Sequence, residues 1–145
     1  MGSHRGTIET LGPIIEVRVM ASPERVMKLK ASGRDYPEPS SIRALIDTGA
    51  SGTAVDTHVL SGLNLLPTGS VCVHTPSTGP AGEMVNEYDV SLVLGAGQDD
   101  PRIFTVAALS MDLASGGFFA LIGWDILCRC TLVCTGPAKK FTLRF

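Results

Sequence analysis

Proton transfer to and from a reacting carbonyl needs acids and bases held rigidly in place. Two stretches of this chain put carboxylates next to apolar runs that would hold them so. The first is Ala44-Leu45-Ile46-Asp47-Thr48-Gly49-Ala50-Ser51, where an apolar run ends on an acid, a hydroxyl residue and a glycine. The second is Phe119-Ala120-Leu121-Ile122-Gly123-Trp124-Asp125-Ile126-Leu127, whose glycine lies 76 residues after Asp47. Asp-Thr-Gly alone is a common turn. The longer Asp-Thr-Gly-Ala-Ser after an apolar strand, matched later by Leu-Ile-Gly-Trp-Asp, is a narrower pattern. One chemistry open to rigidly held carboxylates is hydrolysis of a peptide without a metal or a covalent nucleophile. An attacking water must then lose a proton while the leaving amide gains one. Two carboxylates sharing one proton can do both. Held close together they cannot both ionise, so their titrations belong to the pair.

Together the two stretches resemble the retropepsin-like branch of the aspartic protease superfamily, the bacterial-type members with a single Asp-Thr-Gly above all. There, two apolar residues precede Asp, Ser or Thr, Gly, and Ala or Ser. Much later, two apolar residues, a glycine, any residue and Asp or Asn open a short helix. The resemblance implies an all-β fold, a closed β-barrel with one or two short helices and a flap hairpin, in an obligate homodimer. It implies that Asp47 is catalytic. Thr48 matches the position whose hydroxyl bonds across to the partner loop. Gly49 matches the glycine that lets the backbone turn tightly and substrate approach. Gly123 matches the glycine packed behind the catalytic loop. Gly49, Ala50 and Ser51 are then expected to touch substrate.

The sequence holds one Asp-Thr-Gly. Val55-Asp56-Thr57-His58 lacks the glycine, and Asp99-Asp100 sits in a polar turn that water would solvate. Asp125 reads as structural, bonding nearby backbone. The second catalytic carboxylate is therefore expected from Asp47 of another copy, across a two-fold axis. The turn-rich His74-Thr75-Pro76-Ser77-Thr78-Gly79-Pro80-Ala81-Gly82 matches the flap, with Thr78 and Gly79 at its tip. Retroviral members carry Asp where Ser51 stands and Arg where Trp124 stands. Both are absent here, a self-consistent double change, since one alone would leave an unpaired charge. Ala50 lacks the hydroxyl with which pepsin-like enzymes stabilise the ionised carboxylate, so activity is expected at mildly acidic to near-neutral pH. The closing Cys130–Phe145 segment resembles the C-terminal hairpin of bacterial and ubiquitin-linked members. It is expected to form an interface sheet, with Lys140–Phe145 as an important strand.

The elements that would position these residues are short strands. Pro13–Met20 alternates at Ile15, Val17 and Val19. Ser41–Ile46 leads into Asp47. Ala54-Val55 reads as a short strand before a helical turn capped by Asp56 or Thr57. Ser70–Thr75 and the stretch around Tyr88, Val90, Leu92 and Leu94 make a hairpin, and Arg102–Leu109 follows. Phe118–Gly123 reads as a fully buried strand and Trp124–Arg129 as a brief helix. The last hairpin alternates at Phe141, Leu143 and Phe145. Ser22–Ser41, with its prolines at 23, 37 and 39, reads as turn and loop, with some strand at Val26–Leu29. The opening Met1–Gly6 resembles a cloning remnant and is left out of the fold, so residues 1–145 read as one protease domain.

The chain has 145 residues, enough for one domain. At that length folding buries roughly 70% of the unfolded surface. With 44% hydrophobic residues and a net charge of -2 it is not built for nucleic acid. No run approaches the roughly eighteen apolar residues of a membrane span, and no signal peptide opens the chain, which points to the cytoplasm and no membrane contact. Four cysteines, at 72, 128, 130 and 134, match no standard zinc spacing and read as small apolar strand residues. No cofactor or metal is expected. The expected partners are a peptide or protein substrate and a second copy. His4, His58 and His74 carry no motif, and Trp124 reads as a packing residue. The contrasting reading is a catalytically inactive peptide-binding or dimerisation module on the same fold. A third is the self-releasing protease domain of a longer precursor.

Overall fold

A computed structural model describes residues 1–145. In chain order the elements are β1 (Ser3–Glu9), β2 (Gly12–Ala21), α1 (Pro23–Ala31), β3 (Ser40–Ile46), β4 (Ala54–Asp56) and α2 (Thr57–Gly62). There follow β5 (Gly69–Val73), β6 (Glu83–Leu94), β7 (Arg102–Met111), a 3-10 turn (Ala114–Gly116) and β8 (Ala120–Ile122). The chain closes with α3 (Trp124–Leu127), β9 (Thr131–Thr135) and β10 (Lys140–Arg144).

Period-2 alternation explains the strands. In β2, Ile15, Val17 and Val19 are buried while Glu16 and Arg18 face water. In β6, Val90, Leu92 and Leu94 are buried, and in β10 Phe141 and Leu143. Burying one such side chain fully stabilises by about 1.5–3 kcal/mol. Strand β2 is long enough to pair twice. Its Ile14–Val19 segment lies antiparallel to β3, and its Val17–Ala21 segment antiparallel to β6. The second pairing closes β2, β3, β8, β4, β7 and β6 into a six-stranded barrel around one apolar core. From β2 the sheet continues through a short β1 pairing into the ladder β1–β10–β9, with β9 at its outer edge. No helix is long and apolar enough to cross a membrane.

Four expectations need correction. Ser22–Ser41 contains a helix, not a turn with some strand. Ser22 accepts from the Arg25 N–H at 3.3 Å, Pro23 opens the first turn, and Glu24 pairs with Lys28 at 2.8 Å. Only Leu29 of α1 is buried, so the helix carries almost no apolar period. The legible signal was its start, Ser-Pro-Glu, a capping residue before a proline at the first helical position. Met1–Gly6 is not separate from the fold. Ser3 to Thr7 pair in register with Arg144 to Lys140. Of the apolar run Phe118–Gly123, only Ala120–Ile122 is strand, and Phe119 is partly exposed. The cysteines are unpaired, and Cys72, Cys128 and Cys134 are exposed, unlike core residues. Cys130 is half-buried, which pushes its thiol pKa up.

Candidate active site

Strands β3 and β8 run parallel, side by side, with Ala44 beside Ala120 and Ile46 beside Ile122. The Asp47 N–H continues this ladder onto the Ile122 carbonyl at 3.0 Å. Asp47 thus leaves the barrel where two buried strands end together, on a backbone with little freedom. The chain then turns. The Ala50 N–H donates to the Asp47 carbonyl at 3.2 Å, and the Gly49 N–H donates to Asp47 Oδ1 at 2.9 Å.

The second motif clamps this loop from behind. The backbone N–H groups of Trp124 and Asp125 donate to the carbonyls of Ala50 (2.9 Å) and Ser51 (3.2 Å). The Trp124 indole Nε1–H donates to the Thr48 carbonyl at 2.7 Å. A Cβ on Gly123 would stand 2.5 Å from the Gly52 carbonyl oxygen and 2.9 Å from that of Ala50. Residue 123 has to be glycine because two backbones touch there. Asp125 binds Thr53, taking its N–H on Oδ2 (2.9 Å) and its hydroxyl on Oδ1 (2.7 Å). The Thr53 Oγ1 in turn accepts from the Gly123 N–H at 3.2 Å.

Asp47 is half-buried at the floor of a cleft of about 280 Å³. Gly49, Ala50 and Ser51 line its lower rim; Ala54, Leu109, Met111 and Leu121 give it an apolar wall. Val73 to Pro76, at the end of β5 and just beyond it, line the cleft as well. His74, Thr75 and Pro76 belong to the stretch that the sequence matched to the flap, and Val73 is the last residue of β5 before it. Thr78 and Gly79 do not line the cleft. The Thr78 hydroxyl accepts from the Thr75 N–H at 2.8 Å, which folds the tip into its own turn, and Gly79 has a φ of +68°. His74 reaches the cleft wall, but its ring stands beside Cys72 Sγ at 3.8 Å.

Asp47 is the one carboxylate lining the cleft. Asp56 is fully buried under another part of the sheet and is fully engaged. Burial opposes its charge, but the backbone N–H groups of Leu113, Ala114 and His58, with the nearby His58 side chain, outweigh it and hold its carboxyl below the usual range. No three or more His, Cys, Asp or Glu side chains converge as a metal site.

No family model matches the chain, and no curated protein matches it. Among solved structures it is similar to the crystal structure of a retropepsin-like aspartic protease from Rickettsia conorii. The match spans 99% of this chain and 91% of that one, with a TM-score of 0.58 and 15% sequence identity. Barrel closure, strand order and this likeness along nearly the whole chain give the protein the retropepsin-like fold.

Proposed function

We propose that this chain is an aspartic-type endopeptidase that acts as a homodimer on an extended polypeptide. The observation that carries the reading is Asp47. It stands at the end of a buried parallel strand pair, on the floor of an apolar cleft, with one carboxylate oxygen held by the Gly49 N–H. Acid–base hydrolysis by this route needs a second carboxylate, and the cleft of one chain supplies none. A second copy related by a two-fold axis brings another Asp47.

The reaction then runs in two proton transfers. One Asp47 is ionised and takes a proton from a water as the water oxygen attacks the scissile carbonyl carbon. The other Asp47 is protonated and gives its proton to the carbonyl oxygen, which leaves a neutral tetrahedral diol. On collapse a carboxyl proton passes to the amide nitrogen, the C–N bond breaks, and the diol returns its spare proton. The pair ends with one shared proton, as it began. Thr48 links the two catalytic loops. Gly49, Ala50 and Ser51 bond the substrate main chain. The hairpin that carries Thr78 and Gly79 closes over it and excludes water. The apolar wall favours an apolar substrate side chain next to the cut bond.

The dimer contact in this reading lies on the β9 edge. Strand β10 is flanked by β1 and β9, so its backbone groups are already paired. The outer edge of β9 is free to add a strand, and Val133 on it is 53% exposed. An apolar edge of this kind is a template for pairing with another chain.

The test compares wild type with Asp47→Asn on a broad peptide library, with and without a pepstatin-type inhibitor. Cleavage by wild type alone, blocked by the inhibitor, supports the enzyme. Equal cleavage by both removes Asp47 as the catalyst. Peptide binding without cleavage by wild type identifies an inactive binding module.

A further inference from the structure

The Thr48–Gly49 peptide unit is held at both ends. Its carbonyl oxygen accepts from the Trp124 indole at 2.7 Å, and its N–H donates to Asp47 Oδ1 at 2.9 Å. A trans peptide is planar, with its C=O and N–H pointing in opposite directions. Fixing the direction of the carbonyl therefore fixes the direction of the N–H. Thr48 and Gly49 are both exposed, and the carbonyls of Ala50 and Ser51 are held by backbone donors that every side chain at 124 and 125 would supply. The Thr48 carbonyl is different, because its partner is a side chain. Trp124 is 49% exposed, more than a core-packing residue needs to be.

We infer that Trp124 is a positioning residue for Asp47, acting through the Thr48–Gly49 peptide plane. It works as a relay: the indole N–H aligns the plane, and the Gly49 N–H at its far end orients the carboxylate. Polarisation along such a chain strengthens the second bond when the first is made. The inference rests on the proposed protease reading for its consequence in catalysis, but the relay itself exists without turnover.

Two replacements remove the donor. Trp124→Phe keeps an aromatic ring. Replacement of Trp124 by 3-benzothienylalanine keeps the shape of the bicyclic ring and substitutes sulfur for N–H, so it holds even where Phe upsets the fold. The activity-independent readout is amide hydrogen exchange at Gly49 in the full chain, followed by NMR. Exchange at Gly49 is expected to speed up by about tenfold in both variants, the scale of one lost hydrogen bond of about 1.4 kcal/mol. Exchange at Ala44 and Ile122, inside the barrel, is expected to stay as in wild type. In the cleavage assay kcat is expected to fall by about tenfold with KM within about twofold, the pattern of an interaction that serves the transition state. Unchanged Gly49 exchange in the benzothienyl variant overturns the inference and leaves Trp124 as a packing residue. Faster Gly49 exchange with an unchanged kcat also overturns it. A wild-type chain that cleaves nothing sinks the protease reading, while the exchange experiment still decides the relay.

Discussion

Thr53 and Asp125 lie 72 residues apart in sequence and are joined by two hydrogen bonds, N–H to Oδ2 at 2.9 Å and hydroxyl to Oδ1 at 2.7 Å. Thr53 is fully buried. It stands between the Asp47–Gly52 loop and β4, so this pair ties the loop that follows Asp47 to the first turn of α3. Asp125→Ala strips the partner from two Thr53 donors where water does not reach. Each buried donor left unsatisfied costs on the order of 1–3 kcal/mol. A loss of about 2–4 kcal/mol in urea denaturation is expected for Asp125→Ala. Asp125→Asn keeps one acceptor oxygen and is expected to cost less. Equal stability of Asp125→Ala and wild type would show that the pair contributes nothing.

Gly123→Ala is a smaller change with a larger expected effect on activity. Its methyl would meet the carbonyls of Gly52 and Ala50, both backbone atoms that cannot swing aside as a side chain can. The loop that bears Asp47 must shift to make room. Overpacking of this kind costs roughly 1–3 kcal/mol. Displacement of a reacting group by about an ångström can lower a rate on the order of a hundredfold. Thermal unfolding and a single-turnover cleavage assay measure the two effects. A variant with wild-type turnover would show that the loop tolerates the methyl group.

Asp56 sets a pH dependence of stability. Its folded carboxyl lies below the ordinary value, so the folded state favours the ionised form more than the unfolded chain does. That stability is fully present above the ordinary aspartate value of about 3.9. It is lost as the pH falls from there through the lower folded value. The unfolding free energy is therefore expected to drop with acid below about pH 4. In Asp56→Asn the amide group faces backbone donors, so the variant is expected to be less stable at neutral pH and to show a shallower acid slope. Parallel slopes in the two proteins would assign the acid sensitivity elsewhere.

The placement of β9 at a sheet edge makes two different expectations for the C-terminal hairpin. Val133→Lys puts a charge on an exposed edge residue and is expected to leave the barrel folded while weakening self-association. Sedimentation and the dependence of specific activity on protein concentration read the outcome. An unchanged dissociation constant would move the contact away from β9. Deleting Lys140–Phe145 is a different experiment. It removes Phe141, Leu143 and Phe145, all buried in the chain's own core. Loss of one buried Phe costs about 3–5 kcal/mol, so the truncated chain is expected to unfold and not to persist as a folded monomer. Circular dichroism distinguishes the two.

The sequence by itself determined the strands that alternate and the two motifs that meet at the Asp47 loop. Ile15, Val17 and Val19, or Val90, Leu92 and Leu94, announce a buried face because a strand turns its side chains over at every residue. Asp47-Thr48-Gly49 and Gly123-Trp124-Asp125 were legible as a pair because a backbone contact as close as that at Gly123 restricts residue type. What had no local signature was left to the tertiary structure. Helix α1 buries only Leu29, so its pattern carried almost no period, and β1 shows only half-buried alternation because it rests on β10 at the end of the chain. The structure alone decided that Val73 to Pro76, not Thr78 and Gly79, line the cleft, because that depends on how the hairpin lies against the barrel. It alone decided that β9 lies at a sheet edge and that the Trp124 indole meets the Thr48 carbonyl. Such contacts join residues far apart in sequence, and only the closing of the barrel brings them within hydrogen-bonding reach.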